Sequence, residues 1–121
     1  ALNKFNKSIS SSSILILGLA YKKNVEDTRE SPSVEIIELL SNLGAEVHYS
    51  DPFLPSFPDM KEHNFNLNSI SLTPENIKRF DALIIATDHD EFDYDLIFKE
   101  SKLIIDCRGR YRGKSEKVFR A

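Results

Sequence analysis

The stretch Ile14-Leu15-Ile16-Leu17-Gly18 decides the fold. A short, continuously apolar run closed by a breaker predicts a strand buried on both faces. Three more strands are expected. One covers 45–49 and stops at Asp51-Pro52, and two are apolar runs like the first, Ala82-Leu83-Ile84-Ile85-Ala86 after Asp81 and Leu103-Ile104-Ile105, ending at Asp106. Helical patterns separate them. Ser31-Pro32 reads as an N-cap with proline at the first helical position, and Ile36, Leu39, Leu40 and Leu43 recur at helical spacing up to Gly44. Thr73-Pro74-Glu75-Asn76 opens a short helix running towards Arg79, and another helix is expected over 94–101. The stretch 53–72 is aperiodic and stays unassigned. Doubly buried strands alternating with helices predict an α/β fold, a three-layer, Rossmann-like, doubly wound and mainly parallel sheet.

Composition narrows the function classes. The chain has 121 residues, 40% hydrophobic and 29% charged, which fits one soluble domain. A formal net charge of −3 gives no general attraction to nucleic acid or to an anionic membrane. No apolar run approaches the roughly 18–20 residues that span a bilayer. A single cysteine, Cys107, cannot form an internal disulfide and agrees with a cytoplasmic location. The polar, Ser-rich residues 1–12 read as a linker, leaving 13–121 as the domain. The only methionine is Met60, so the chain is expected to be a processed or truncated piece.

In a doubly wound sheet, ligands bind beyond the carboxyl ends of the strands, where the strand order reverses. That rule selects the loops 19–30, 50–55, 87–93 and 106–113. In the first, Gly18-Leu19-Ala20 lets a backbone or ligand approach closely, but the full dinucleotide fingerprint is absent. Tyr21 can stack on a base or sugar, and Lys22 and Lys23 can neutralise a diphosphate, or simply form a solvated pair. Arg29 precedes a helix N-terminus, a setting that suits phosphate, and an ion pair with Glu26, Asp27 or Glu30 is the alternative. Arg108, in Asp106-Cys107-Arg108-Gly109-Arg110, sits at the same edge as Lys22. Six of the last fourteen residues are Lys or Arg, yet an acidic chain with few aromatics there argues against a nucleic-acid tail.

Cys107 has cationic neighbours but no histidine nearby in sequence, so a small buried filler is favoured over a nucleophile. Asp88-His89-Asp90-Glu91 reads as a solvated loop with helix-capping acids rather than a metal cluster, and no metal ligand is assigned. Asp51 stands where Rossmann domains hold a ribose, although with Pro52 next a turn-starting role fits equally.

Gly18-Leu19-Ala20-Tyr21-Lys22-Lys23, followed by Asp27-Thr28-Arg29-Glu30-Ser31-Pro32, resembles the signature opening the C-terminal domain of the UDP-glucose/GDP-mannose dehydrogenases. Asp51-Pro52, the acidic loop around His89 and Asp106-x-Arg108 extend the resemblance over 13 to about 112. It implies a full-length enzyme with an N-terminal NAD-binding domain, a central dimerisation helix and this domain, assembled as a homodimer or larger. Such enzymes use two NAD to oxidise C6 of a nucleotide sugar from alcohol to carboxylate, through a cysteine-bound intermediate. The catalytic Cys, Lys and Asp would lie upstream, so no catalytic residue is expected in this chain, and Cys107 does not match. Carried over by position, Tyr21, Lys22 and Arg108 would bind the UDP-sugar, and Arg29 would reach towards NAD. The variant here is closest to members acting on UDP-N-acetylhexosamines such as UDP-GlcNAc or UDP-ManNAc, for surface polysaccharide. The alternative is a stand-alone nucleotide-binding or interaction module that shares the fold without catalysis.

Overall fold

A computed structural model describes residues 9–19, 32–56, 67–111 and 117–120. Among these residues five strands form one sheet: β1 (Ser13–Leu17), β2 (Glu46–Ser50), β3 (Ala82–Ile85), β4 (Ile104–Asp106) and β5 (Val118–Arg120). All four pairings are parallel, and the spatial order is β2-β1-β3-β4-β5. Three described helices lie between the first four strands, α1 (Pro32–Asn42), α2 (Pro74–Lys78) and α3 (Tyr94–Glu100). A 3-10 turn, Ile9–Ser11, precedes β1, and the Ser12 carbonyl accepts from the Glu46 amide at 3.0 Å.

The apolar runs are continuous because the sheet is covered twice. Ile14 and Ile16 face a core layer with Val34 and Ile37 of α1 and with Val47 and Tyr49 of β2. Leu15 and Leu17 face the opposite layer, with Ile77 of α2, Ile97 of α3 and Phe80. The period of two along β1 thus feeds both layers, and the three-layer α/β architecture expected from the sequence is what forms. Removing one of these side chains, Ile16→Ala for example, should cost roughly 2–5 kcal/mol.

Local signals fix the helix ends. The Ala45 amide reaches the Leu40 carbonyl and the Gly44 amide reaches the Ser41 carbonyl, which is the Schellman pattern with Gly44 at φ +95°. The Thr73 hydroxyl caps α2 through the Asn76 amide, and the Asp93 carboxylate caps α3 through the Leu96 amide. Ser31, the expected cap of α1, lies outside the described residues.

One element corrects the sequence-based expectation. The basic C-terminal segment contains a strand, since Val118 and Phe119 pair with Ile104 and Ile105 to make β5 the sheet's second edge. Charged residues on both sides of a two-residue apolar core are how edge strands resist further pairing, and they also hide the strand from a search for apolar runs.

Candidate functional site

Strand order β2-β1-β3 places the switch point between the tips of β1 and β3. Here the backbones nearly touch. The Leu17 carbonyl accepts from the amides of Ala86 and Thr87, while the Gly18 amide donates to the Ser50 carbonyl on the other side. Gly18 has φ +87°, and a Cβ at that position would lie 2.5 Å from the Thr87 side chain. Only glycine fits. The Ser33 hydroxyl, in the first turn of α1, donates to the Gly18 carbonyl at 2.7 Å. The described residues on either side of 20–31, Gly18 and Ser33, are therefore held together.

Asp51 closes the tip of β2. One carboxylate oxygen accepts from the Phe53 amide at 2.8 Å, an Asx turn of the kind Asp-Pro predicts. The other accepts from the Leu19 amide at 2.7 Å and lies 3.0 Å from His89 Nε2. Both side chains are fully buried. The His89 ring packs between Phe53 and Phe92, with centroids 5.0 and 5.6 Å away. A ribose-binding role for Asp51 is thereby corrected, because both oxygens already hold the protein's own groups. The His89 loop also differs from the solvated loop expected. His89 turns inward, whereas Asp88 and Asp90 turn towards Arg110 at 3.8 and 3.9 Å.

The tip of β4 has its own buried aspartate. Asp106 accepts from the amides of Arg108 and Tyr111, at 3.1 and 2.8 Å, and so shapes the exposed loop between them. Gly109, at φ +70°, completes that turn. Arg108 then reaches sideways, and its Nε donates to the Ala86 carbonyl at 2.8 Å. This brings the guanidinium from β4 to the tip of β3, the strand beside the switch point. Arg110, two residues on, lies 4.1 Å over the Tyr94 ring and leans towards the two acids. Two arginines of one loop thus have different surroundings.

Of the expected substrate-binding residues, the structure places Arg108 at the carboxyl edge of the sheet, while Tyr21 and Lys22 lie outside the described residues. So does Arg29. Cys107 is exposed rather than a buried filler, and its amide bonds the Ile85 carbonyl. Desolvation, followed by the Asp106 charge, pushes its thiol pKa up despite Arg108, which is opposite to what a nucleophile needs. Tyr94 and Tyr111 were not singled out by sequence reasoning. Tyr94 donates to the His89 carbonyl at 2.7 Å, and Tyr111 donates to the Tyr94 carbonyl at 2.6 Å. Burial raises the pKa of both hydroxyls far above the ordinary value, so they remain donors at any neutral pH.

An open cleft of about 540 Å³ lies elsewhere, beside the β2 edge, between the 50–55 turn, the strip 69–72 and residues 91–93. The described residues that line it include Glu91 and Asp93 and no Lys or Arg, so they suit a diphosphate poorly. The switch point is the better candidate for an anion, because Arg108 is brought to its margin. Neither place is a dinucleotide cradle among the described residues, since Asp51 is engaged internally and Gly18 has no partner glycines in the described part of its turn.

Comparison with known proteins agrees with this geometry. Residues 15–113 match the model of the UDP-glucose/GDP-mannose dehydrogenase family, UDP binding domain. A UDP-N-acetyl-D-mannosamine dehydrogenase of Pyrococcus horikoshii is 36% identical over 113 residues, covering 89% of this chain and 24% of the relative. A UDP-glucose 6-dehydrogenase of Gallus gallus is 34% identical over 106 residues, covering 76% of this chain and 22% of the relative. The solved UDP-D-ManNAc dehydrogenase from Pyrococcus horikoshii superimposes with a TM-score of 0.72 at 27% identity, over 98% of this chain and 27% of that one. The chain belongs to the UDP-glucose/GDP-mannose dehydrogenase family and constitutes its UDP binding domain. It spans about a quarter of the length of the curated relatives it matches.

Proposed function

We propose that this chain serves as the C-terminal nucleotide-sugar-binding domain of an NAD-dependent UDP-sugar 6-dehydrogenase, with 13–121 as the domain and 1–12 as its connector. The observation that carries this function is the bond from Arg108 Nε to the Ala86 carbonyl, which brings a guanidinium to the tip of the strand next to the switch. A planar fork held there can take two oxygens of a diphosphate at once. Lys22, which follows the β1 tip in sequence, would add a second cation, and Tyr21 would offer a face for the base or sugar. Arg29 would extend from the same segment towards NAD. NAD, bound chiefly outside these residues, supplies the hydride acceptor for both oxidations of the C6 alcohol. The role of this chain is to bind and orient the UDP-sugar, and turnover requires the rest of the enzyme, assembled as a homodimer or larger.

The names of the Pyrococcus horikoshii relatives support a UDP-N-acetylhexosamine as the sugar, UDP-ManNAc before UDP-GlcNAc, in a polysaccharide pathway. No helix among the described residues is long and apolar enough to cross a membrane, and the lone exposed thiol fits the cytoplasm. In the full-length enzyme, Arg108→Ala should raise KM for the UDP-sugar at least tenfold and change kcat less, the mark of a lost binding contact. An unchanged KM removes Arg108 from the site. The chain alone should produce no NADH from any UDP-sugar. Turnover by the chain alone would favour a self-contained enzyme, and salt-steep DNA binding would favour a nucleic-acid role.

A further inference from the structure

The loops at the carboxyl edge are joined by bonds that regular secondary structure does not require. The Leu19 amide donates to Asp51, and Asp51 accepts from His89 Nε2. The His89 carbonyl accepts from the Tyr94 hydroxyl, and the Tyr94 carbonyl accepts from the Tyr111 hydroxyl. The Tyr111 amide donates to Asp106, which also accepts from the Arg108 amide. Followed in order, these contacts run without a gap from the residue that opens the 20–31 segment to the arginine at the β3 tip. They link the ends of β1, β2 and β4 through the loop that follows β3.

Each link is specific in kind. Asp51 and His89 are fully buried, so a carboxylate and an imidazole have been taken out of water where an apolar pair would have filled the space. Both tyrosine hydroxyls end on backbone carbonyls, so each ring fixes the course of a loop rather than a neighbouring side chain. Edge-on ring contacts, Phe92 on Tyr94 and Tyr94 on Tyr111, run beside the same path and limit its freedom further. Fully satisfied polar networks of this sort specify one geometry.

We propose that the series Leu19–Asp51–His89–Tyr94–Tyr111–Asp106–Arg108 sets the spacing between the β1 tip and the Arg108 turn at the nucleotide diphosphate site, with His89 and Tyr111 as positioning residues. It rests on the UDP site assigned above. Its consequence is that ligand affinity depends on hydroxyls that never touch the ligand.

The test uses the 121-residue chain, with UDP and inorganic pyrophosphate as probes. Tyr111→Phe and Tyr94→Phe each delete one hydroxyl and keep the ring, so the fold survives, whereas His89→Phe is the more drastic variant. Tyr111→Phe should weaken UDP and pyrophosphate roughly threefold to tenfold, the loss of one modest hydrogen bond, while the melting transition barely moves. In an Arg108→Ala background the same change should have almost no further effect, because it acts through Arg108. In nitrogen-15 NMR spectra, Tyr111→Phe and Tyr94→Phe should both shift the Arg108 Nε–H and the Leu19 amide, leaving central-strand amides in place. Wild-type affinity together with unmoved Arg108 and Leu19 signals in Tyr111→Phe would overturn the proposal, and so would an equal loss in the Arg108→Ala background. If the unmodified chain binds neither probe, the UDP assignment fails by itself. The two NMR signals then still decide the series, for or against.

Discussion

Two loops of the carboxyl edge, one after β2 and one after β4, start alike and end differently. Each begins with a buried aspartate that accepts the amide two residues on, Phe53 for Asp51 and Arg108 for Asp106. Asp106 gives its second oxygen to its own loop, at Tyr111. Asp51 gives its second oxygen to two other strand tips, through Leu19 and His89. The Asp51 carboxylate is therefore a clamp buried from water within a partly exposed turn, while the β4 loop is a local turn whose residues 107–110 stay exposed. Similar local chemistry yields support in one place and a presented cation in the other.

The contrast can be broken experimentally, and the largest effect should come from the clamp. Asp51→Ala leaves the Leu19 and Phe53 amides and the His89 ring without their acceptor in a dry site, so urea unfolding should show a loss of about 3–5 kcal/mol. A loss below about 1 kcal/mol would mean that the two aspartates are equivalent. Gly18→Ala comes next, at about 2–4 kcal/mol, since it combines positive φ with a clash on Thr87. Asp106→Ala should cost less, about 1–3 kcal/mol, because the amides it frees lie close to water. Its mark should instead be on ligand affinity, since the Arg108 turn is lost.

A gentler probe is alkaline pH. Tyr49, whose hydroxyl donates to the Leu54 carbonyl in the β2 loop, has its pKa raised by burial, then by the Asp51 charge, from 10.0 to about 12. The folded state holds this proton more tightly than the unfolded state. The contribution is therefore complete below pH 10, falls as pH rises, and is gone near pH 12. Thermal melts of Tyr49→Phe should lose less stability than the unmodified chain across that window, and parallel curves would refute the assignment. The smallest effect is expected at the β5 edge. Lys117→Ala, which removes an ammonium 4.6 Å over the Phe98 ring, should change stability by no more than about 1 kcal/mol.

How much of this was visible in the sequence follows burial. β1, β3 and β4 announce themselves as apolar runs because both faces are covered, and Gly44 and Thr73 mark helix ends with local chemistry. Arg108 could be found because it follows a strand end directly. The pairing of Asp51 with His89 could not, since the two are 38 residues apart and each alone reads as a turn or loop residue. Tyr94 and Tyr111 were hidden because their hydroxyls bond loop carbonyls, which no pattern of side-chain types marks. β5 escaped because an edge strand with two apolar residues among charges has no run to detect.

The most direct test is an NMR titration of the nitrogen-15-labelled chain with UDP, following backbone amides and the Arg108 Nε–H together. Shifts should gather on Gly18, Leu19, Thr87 and Arg108, around the point where the strand order reverses. Shifts confined to the acidic cleft at 69–72 and 91–93, or a silent Arg108, would contradict a diphosphate site at the switch.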